Sequence, residues 1–401
     1  MQRFFFRLIG VTLVIAACGC GRSVPGVAID PVPGKVPEAY RVIYRELESE
    51  LSQLNPILAA PWGRKTGPTA FGVELLVANR NPGEELLNEQ VLLATALMLD
   101  RLKQIGVRSV SLSIPYPILT HSFPETPAYK EFYRKVAAEV RQRGLLLVVE
   151  MGTMFRAPEV SRLPVDGKGL TREVFNAGLR EMAAAVIADI HPDYLTVLAE
   201  PDTQTRNTGL AFSASQFAVT VQSAVRGLNP GSTWLGAGAG TWLALDYFKA
   251  LADVPELKYL DLHIGPIEHG FASDRALKAT EAARARGKRV AIGNAWLYKI
   301  STREFGWISP LAALARDAYS FWQPLDERFV ATVVNLAQTI QAEFCSFSGT
   351  DLLYAYMDYT PETSQLAPAQ LMQARRAVAA EQILAGTLSG TGERLKNLIA
   401  P

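Results

Sequence analysis

The chain has 401 residues, of which 49% are hydrophobic and 20% charged, and its 40 Lys and Arg residues nearly balance 39 Asp and Glu residues. A formal net charge of +1 excludes the broad basic surface of a nucleic-acid-binding protein, and the apolar content excludes an intrinsically disordered chain. Three cysteines and four histidines argue against a disulfide framework and a multi-histidine zinc site, so we expect a globular protein of enzyme size without a metal.

Residues 1–17 have the pattern of a signal peptide. Arg3 and Arg7 make a basic start, and the apolar residues 8–17 are too few for a membrane helix, which takes about 20. The stretch ends in Ile15-Ala16-Ala17-Cys18, which resembles the lipobox of bacterial lipoproteins, where small residues precede the cysteine that receives the lipid. An ordinary secretory signal is the alternative.

The lipobox resemblance implies that cleavage leaves Cys18 as an acylated N-terminus, anchored in the bacterial cell envelope. Several acyl chains on one cysteine bind a membrane stably, whereas a single chain binds only marginally. Gly19 rather than Asp follows the cysteine, and by the usual sorting rule this favours the outer membrane in a Gram-negative host. Residues 18–37 contain four prolines after Gly21 and predict a tether between the lipid and the folded domain.

From residue 38 onward, helical and strand-like patterns alternate. Residues 38–54 have helical spacing, and eight units of a β-rich run followed by a helical pattern come after them. The predicted strands are residues 71–79, 109–119, 145–155, 194–204, 232–242, 259–268, 289–298 and 351–359. The predicted helices are residues 89–106, 128–144, 171–191, 213–228, 246–251, 274–287, 310–343 and 367–384.

Eight consecutive β-then-α units predict a single α/β domain over residues 38–401, a (β/α)8 TIM barrel with a lead-in helix. In residues 109–115 serines alternate with Val110, Leu112 and Ile114, as expected for a strand with a crowded inner face and an outer face against helices. The alternative is an open doubly wound sheet, which needs a Gly-rich phosphate turn after its first strand, and residues 79–83 do not form one.

Functional residues of barrel enzymes lie at the carboxyl ends of the strands. The side chains predicted at those ends are Glu74, Asn79, Tyr116, Glu150, Glu200, Trp242, His263, Trp296, Tyr298, Tyr356 and Asp358. Aromatic faces stack against the C–H faces of sugars, and carboxylates bind hydroxyl groups or transfer protons, so this mixture predicts a carbohydrate ligand. The alternative for each aromatic residue is that it caps the barrel core.

The sequence Leu-Thr-Val-Leu-Ala-Glu-Pro at residues 195–201 ends the fourth predicted strand. It resembles the fourth-strand Asn-Glu-Pro motif of clan A glycoside hydrolases, the retaining barrel glycosidases that include endo-β-1,4-galactanases and cellulases. In unit order the resemblance extends over residues 71–384, although sequence identity is confined to the motif. It implies that Glu200 is the general acid/base, a role for which burial should keep the carboxyl group protonated.

The sequence departs from that family at two positions. Ala199 replaces the motif Asn, which contacts the sugar 2-hydroxyl, and Gly293 or Asn294 stands where the resemblance places the nucleophilic Glu of the seventh strand. Retaining hydrolysis needs two carboxyl groups about 5–5.5 Å apart. Neither Gly nor Asn can attack the sugar, so the sequence does not support the standard double displacement.

Three interpretations remain open. An inverting hydrolase could pair Glu200 with Glu150 on the neighbouring strand, because inverting carboxyl pairs are about 6.5–9.5 Å apart; Glu74 is a weaker partner. Asn294 could instead orient a substrate acetamido group that assists the reaction. The third interpretation is a non-catalytic glycan-binding or scaffold lipoprotein, a pseudoenzyme on the same fold.

His263 shares the predicted inner face of the sixth strand with Asp261. It is either a ligand-contacting histidine or a core histidine whose hydrogen bonds Asp261 satisfies. A metal site built from Glu150, Glu200, Asp261 and His263 resembles those of amidohydrolase-like barrels, but their His-x-His pair is missing from the first strand. We therefore predict a carbohydrate partner, no nucleic acid, no metal and no other cofactor.

Overall fold

The computed structural model describes residues 34–59, 68–79, 83–155, 169–265, 271–301, 303–304 and 307–400. Within these residues, eight parallel strands close a barrel in sequence order, which confirms the predicted fold. The strands are β1 (Ala70–Glu74), β2 (Ser109–Tyr116), β3 (Leu146–Thr153), β4 (Tyr194–Thr196), β5 (Trp234–Gly240), β6 (Tyr259–Ile264), β7 (Arg289–Ala295) and β8 (Phe344–Phe347).

Helices surround the barrel and connect its strands. They are α1 (Arg41–Ala59), α2 (Glu89–Ile105), α3 (Thr126–Gln142), α4 (Arg172–Ala185), α5 (Pro201–Thr208), α6 (Ala214–Val225), α7 (Leu245–Ala252), α8 (Leu277–Arg284), α9 (Pro310–Arg316), α10 (Gln323–Thr339), α11 (Pro368–Ala385) and α12 (Gly390–Ile399). The predicted signal peptide, Cys18 and the tether up to residue 33 lie outside the described residues. No helix of the described part is long and apolar enough to cross a membrane.

The alternation of β2 separates two layers of core as predicted. Val110, Leu112 and Ile114 are fully buried in the layer between strands and helices. On the inner face, Ser111 Oγ lies 2.7 Å from Ser346 Oγ of β8, on the other side of β1. The inner face of the barrel is therefore polar in this region.

The lower half of the barrel interior is filled by apolar side chains, which leave the polar groups near its carboxyl end. This inner cluster consists of Ala70, Val148, Tyr259, Ala291 and Phe344. The glycines of β5 make room for it, because a Cβ at Gly236 would come within 2.3 Å of the Tyr259 ring.

The fourth predicted run is strand only at its start. β4 ends at Thr196, but backbone hydrogen bonds to β5 continue through Val197 and Leu198. The chain therefore stays beside the barrel wall until Glu200, and α5 begins at Pro201, where strand had been predicted to continue.

The predicted eighth strand, residues 351–359, is wrong. The strand is Phe344–Phe347, and Thr350–Leu353 forms a 3₁₀ helix. The helical spacing of residues 310–343 hid this short strand, because α10 already ends at Thr339 and apolar residues continue into β8. Tyr356 is consequently nine residues past the end of β8 and not at a strand end.

Candidate active site

One buried imidazole holds three carboxylates together at the carboxyl end of the barrel. His263 Nδ1 lies 2.9 Å from Glu200 Oε1, and its Nε2 lies 3.8 Å from both Glu150 Oε1 and Asp261 Oδ2. The His263 side chain is 1% exposed, whereas those of Glu150 and Glu200 are 24% and 23% exposed. Two carboxylates are therefore open to a ligand, and a histidine lies behind them.

The excess proton of this cluster resides on His263. Burial alone would lower the pKa of His263, but the charges of Glu150 and Asp261 and the hydrogen bond with Glu200 raise it well above 6.5. Burial raises the pKa of Glu200, yet its hydrogen bonds with His263 and Thr203 bring that pKa below its usual value. Near neutral pH, Glu200 is thus ionised in the free protein, contrary to the protonated state expected of a general acid.

The backbone at Glu200 turns the carboxylate toward the histidine. Its φ of 51° is in the left-handed region, where a residue with a side chain is strained by about 1–3 kcal/mol. Glu200 precedes the first turn of α5, and the Thr203 hydroxyl from that turn donates a 2.7 Å hydrogen bond to Glu200 Oε2. Such strain is concentrated at functional sites in folded proteins.

Replacing Thr203 by Val should raise the pKa of Glu200, because the hydroxyl group donates to the ionised carboxylate. The titration of glutamate side-chain carboxyl carbons, followed by NMR, measures this change. Thr205→Val is the matched control, since the Thr205 hydroxyl binds the backbone oxygen of Pro201 instead. An unchanged Glu200 titration in Thr203→Val would contradict the role given to this hydrogen bond.

Asp261 explains why position 293 of β7 carries no side chain. Its side chain is 1% exposed and accepts hydrogen bonds of 2.6 Å from the Thr196 hydroxyl and from the backbone N–H of Gly293. A Cβ at Gly293 would lie only 2.3 Å from an Asp261 carboxylate oxygen. The carboxylate of Asp261 thus occupies the space that a side chain at position 293 would need.

A bulge in β7 directs Asn294 toward the same cluster. Leu262 of β6 pairs with Ile292, but the next residue, His263, pairs with Asn294, so Gly293 is the extra residue. Bulges next to binding sites commonly redirect a side chain. Asn294 therefore has the same inward parity as His263, and it is half-buried.

Trp242 lies next to the segment that carries Glu200. Its indole ring covers the backbones of Gly240 and Gly265, where added Cβ atoms would come within 2.2 Å and 2.9 Å of ring atoms. Trp242 Nε1 donates a 3.1 Å hydrogen bond to Asp202 Oδ2, two residues after Glu200. Trp242 is thus joined through Asp202 to the first turn of α5, which follows Glu200.

Trp296 and Tyr298 form an aromatic pair after β7. Their ring centroids are 4.5 Å apart at an angle of 65°, and both residues are half-buried. Burial raises the pKa of Tyr298, and the nearby charge of Glu200 also raises it. Tyr298 is therefore close enough to Glu200 to interact with its charge.

Three predicted site residues have other neighbours. The Tyr116 ring packs at 5.3 Å against Phe175 of α4, because Tyr116 shares the outward parity of Ile114 in β2. The Tyr356 hydroxyl binds Asp326 and Thr391, at 3.0 Å and 2.7 Å. The Glu74 carboxylate accepts a hydrogen bond from the Asn79 side chain. The structure does not bring Tyr116 into the barrel opening.

Among the described residues, no group of three or more His, Cys, Asp and Glu side chains is arranged to hold a metal ion. The Glu150, Glu200, Asp261 and His263 cluster brings together the residues of the metal site considered from the sequence. Its imidazole lies between the carboxylates, with Nδ1 already hydrogen-bonded to Glu200. The predicted absence of a cofactor stays a prediction.

The protein should lose stability as the pH rises above 6.5. The folded-state pKa of His263 is raised above that ordinary value, so its contribution is fully present below pH 6.5 and is lost as the pH passes the folded pKa. Urea unfolding at several pH values from 6 upward measures how steeply the free energy of unfolding falls with pH, and this slope should be smaller in His263→Gln. His121→Gln, which changes a histidine 86% exposed, is the control. Equal slopes in wild type and His263→Gln would contradict this account.

No protein-family model matches the sequence, and the search of curated proteins gave no match. Among solved structures, an exo-β-1,4-mannosidase from Opitutaceae bacterium strain TAV5 is similar with a TM-score of 0.52 and 12% identity, over 82% of this chain and 59% of that one. A β-mannanase from the blue mussel Mytilus edulis gives a TM-score of 0.42 and 13% identity, over 78% and 92% of the two chains.

An endo-β-1,4-glucanase from Xanthomonas axonopodis pv. citri gives a TM-score of 0.42 and 11% identity, over 76% of this chain and 89% of that one. This chain spans less than two thirds of the mannosidase's length. Sequence identity this low makes the similarity one of fold. The chain is thus a (β/α)8 barrel whose fold is similar to that of the mannosidase, which is itself a glycoside hydrolase.

Proposed function

We propose that this protein binds an oligo- or polysaccharide at the carboxyl end of its barrel and hydrolyses it, with Glu200 as general acid/base. The observation that carries the proposal is the pair of accessible carboxylates, Glu150 and Glu200, on opposite nitrogens of the His263 imidazole. The fold likeness to an exo-β-1,4-mannosidase is consistent with it.

The spacing of the two carboxylates is compatible with inverting hydrolysis. Contacts of 2.9 Å and 3.8 Å with one imidazole keep the two contacting oxygens closer than about 9.5 Å, the upper limit for inverting glycosidases. In that mechanism Glu200 gives a proton to the leaving oxygen, while Glu150 takes one from the attacking water. Glu150 is thus the proposed general base.

His263 is the proposed source of the proton that Glu200 needs. The imidazole holds the proton of the cluster, and its Nδ1 is already 2.9 Å from Glu200 Oε1. Transfer across this hydrogen bond requires no movement of either side chain. A substrate that excludes water from the site would weaken the ionised form of Glu200 and so favour the transfer.

The aromatic residues near the cluster supply the proposed sugar contacts. Trp242 lies beside the Glu200 segment, and the Trp296–Tyr298 pair follows β7, with Tyr298 near the charge of Glu200. Asn294, next to His263, offers an amide that can both donate to and accept from sugar hydroxyl groups. Glu74 and Tyr356 are proposed as more distant contacts at the same end of the barrel.

A second candidate function is glycan binding without hydrolysis. Two features favour it: the Asp261 carboxylate fills the space of a side chain at Gly293, and hydrogen bonds with His263 and Thr203 hold the pKa of Glu200 below its usual value. A cluster with this charge can hold sugar hydroxyl groups through hydrogen bonds without cleaving a bond. The alternative is therefore a pseudoenzyme that uses the same cleft.

Wild type and Glu200→Gln, assayed side by side on a panel of plant and bacterial polysaccharides, distinguish these functions. Release of reducing ends that is lost in Glu200→Gln, with binding kept, supports hydrolysis, and NMR of the first product anomer tests inversion. Binding without release, unchanged in Glu200→Gln, supports the pseudoenzyme. A protein that neither binds nor cleaves any member of the panel contradicts both proposals.

The cell envelope is the proposed location of this activity, with acylated Cys18 as the membrane anchor. The support is the resemblance of residues 15–18 to a lipobox. Partition of the expressed protein into detergent, together with the mass of its N-terminal peptide, tests the anchor. Cys18→Ala should move the protein to the aqueous phase, and the same partition for wild type and variant would contradict lipidation.

A further inference from the structure

A buried lysine joins two carboxylates beside the candidate site. Lys299 is 0% exposed, and its Nζ lies 2.7 Å from Asp317 Oδ1 and 2.6 Å from Asp326 Oδ1. Lys299 directly follows the Trp296–Tyr298 pair, Asp317 ends α9, and Asp326 lies in the first turn of α10. Buried ion clusters contribute little net stability, because removing charges from water offsets their attraction.

Each carboxylate uses its other oxygen to hold an aromatic side chain. Asp317 Oδ2 accepts a 2.7 Å hydrogen bond from Trp296 Nε1, and Asp326 Oδ2 accepts one of 3.0 Å from the Tyr356 hydroxyl. Both aromatic residues are half-buried, so each keeps some ring surface accessible while its polar atom is fixed. One ammonium group therefore connects the polar ends of two aromatic side chains from different segments.

The backbone of Lys299 is also held in place. Arg316 Nη1 donates a 2.9 Å hydrogen bond to the Lys299 carbonyl oxygen, and Arg316 Nη2 pairs with Glu304 Oε1 at 2.7 Å. The segment after β7 is thus braced against the end of α9 at two successive residues, Arg316 and Asp317. Side chains fixed in this way lose less conformational freedom when a ligand binds.

We propose that Lys299, Asp317 and Asp326, the Lys299 triad, are positioning residues that set the orientation of Trp296 and Tyr356 for stacking against sugar rings. The inference rests on the proposed carbohydrate ligand and deepens it, since it locates the part of the barrel opening that selects the ring. Trp296 is the principal platform, because it follows β7 directly and has the inward parity of Asn294.

Fluorine NMR of protein labelled with 5-fluorotryptophan tests the orientation without any ligand. The chain has six tryptophans, and Trp296→Phe assigns the relevant signal. Asp317→Ala should shift or broaden the Trp296 signal in protein that is still folded by circular dichroism. Asp202→Ala is the matched control, because it removes the corresponding hydrogen bond from Trp242; it should alter the Trp242 signal and leave that of Trp296.

Asp317→Leu replaces Asp317→Ala if the latter does not fold, since leucine is similar in size to aspartate and cannot accept the Trp296 hydrogen bond. An unchanged Trp296 signal in the folded Asp317 variant would overturn the proposal, and a loss of thermal stability alone would not support it. For a glycan that the wild-type protein cleaves, the KM of the Asp317 variant should be about tenfold higher, with kcat unchanged. If wild type binds no glycan, the proposed function fails, and the fluorine spectra still decide whether the triad positions Trp296.

Discussion

Glu200→Gln is expected to reduce the release of reducing ends by about 10²–10⁴-fold, the usual contribution of a general acid/base. Glutamine has the shape of glutamate and can still accept the Thr203 hydrogen bond, but it cannot donate a proton to the leaving oxygen. The substrate should bind almost as before, so kcat carries the loss. Initial rates and the affinity for an uncleaved oligosaccharide separate the two quantities.

The activities of Glu150→Gln and Glu74→Gln show whether the loss in Glu200→Gln is specific to the proposed acid/base pair. Glu150 contacts the same imidazole, so its variant should lose activity to a similar extent if it is the base. Glu74 is a barrel glutamate whose carboxylate is bound by the Asn79 side chain, and its variant should keep more activity. Equal activity in wild type and Glu200→Gln would refute the acid/base assignment, whereas full activity in Glu150→Gln would refute only the pairing.

The barrel and the position of Glu200 could be predicted because both depend on local patterns. Alternation of β-rich and helical runs indicates a parallel barrel, and inward parity places Glu150, Asp261 and His263 on the inner face. The parity prediction is confirmed by the contacts of His263 with these carboxylates. Periodicity predicts which side chains of a strand face the barrel interior, and the position of a residue along its strand predicts that it lies near the carboxyl end.

The location of the proton could not be predicted from the sequence, because it depends on distances between strands. Burial of Glu200 alone suggests a raised pKa, and the contacts with His263 and Thr203 reverse the direction. The lack of space for a side chain at Gly293 also depends on a contact between strands. The Asp261 side chain reaches from β6 to the backbone of β7, and no pattern within either strand reveals this contact.

A misplaced strand boundary accounts for the error at Tyr356, and side-chain parity accounts for the error at Tyr116. The predicted eighth strand lies too far along the chain and therefore puts Tyr356 at a strand end. In the structure the Tyr356 hydroxyl donates a hydrogen bond to Asp326 of the Lys299 triad. Tyr116 alternates with the serines of β2, and that parity indicates its outward direction. Lys299 and Asp317 carried no sequence signal, since they are 18 residues apart in loop and helix end and meet only in the folded chain.

Lys299→Met is expected to lower the free energy of unfolding by about 3–5 kcal/mol, the usual cost of removing one partner from a buried ion pair. Methionine fills most of the space of the lysine stem, but it leaves the charges of Asp317 and Asp326 without their cation. Urea unfolding near pH 7 measures the loss. Replacing both aspartates by asparagine in the same chain should recover part of it, because the buried charges are then gone.

The loss in Lys299→Met should shrink as the pH falls. Burial raises the pKa of Asp326 to about 6 even though Lys299 lowers it, so this carboxyl group is harder to ionise in the folded protein than in the unfolded chain. A group with a raised folded pKa stabilises the protein below its unfolded pKa, and this contribution disappears as the pH rises through the folded pKa. Removing Lys299 raises the folded-state pKa of Asp326 further, so the free energies of unfolding of Lys299→Met and wild type should differ less at pH 5 than at pH 7.

Lys288→Met is the matched control for the pH dependence. Lys288 is also buried, but its Nζ donates to the backbone carbonyl oxygens of Val254 and Leu257 and not to carboxylates. Its variant should therefore lose similar amounts of stability at pH 5 and pH 7. If Lys299→Met also loses equal amounts at both values, the two aspartates are not the buried charges that Lys299 stabilises, and the triad would have to hold its aromatic residues through shape alone.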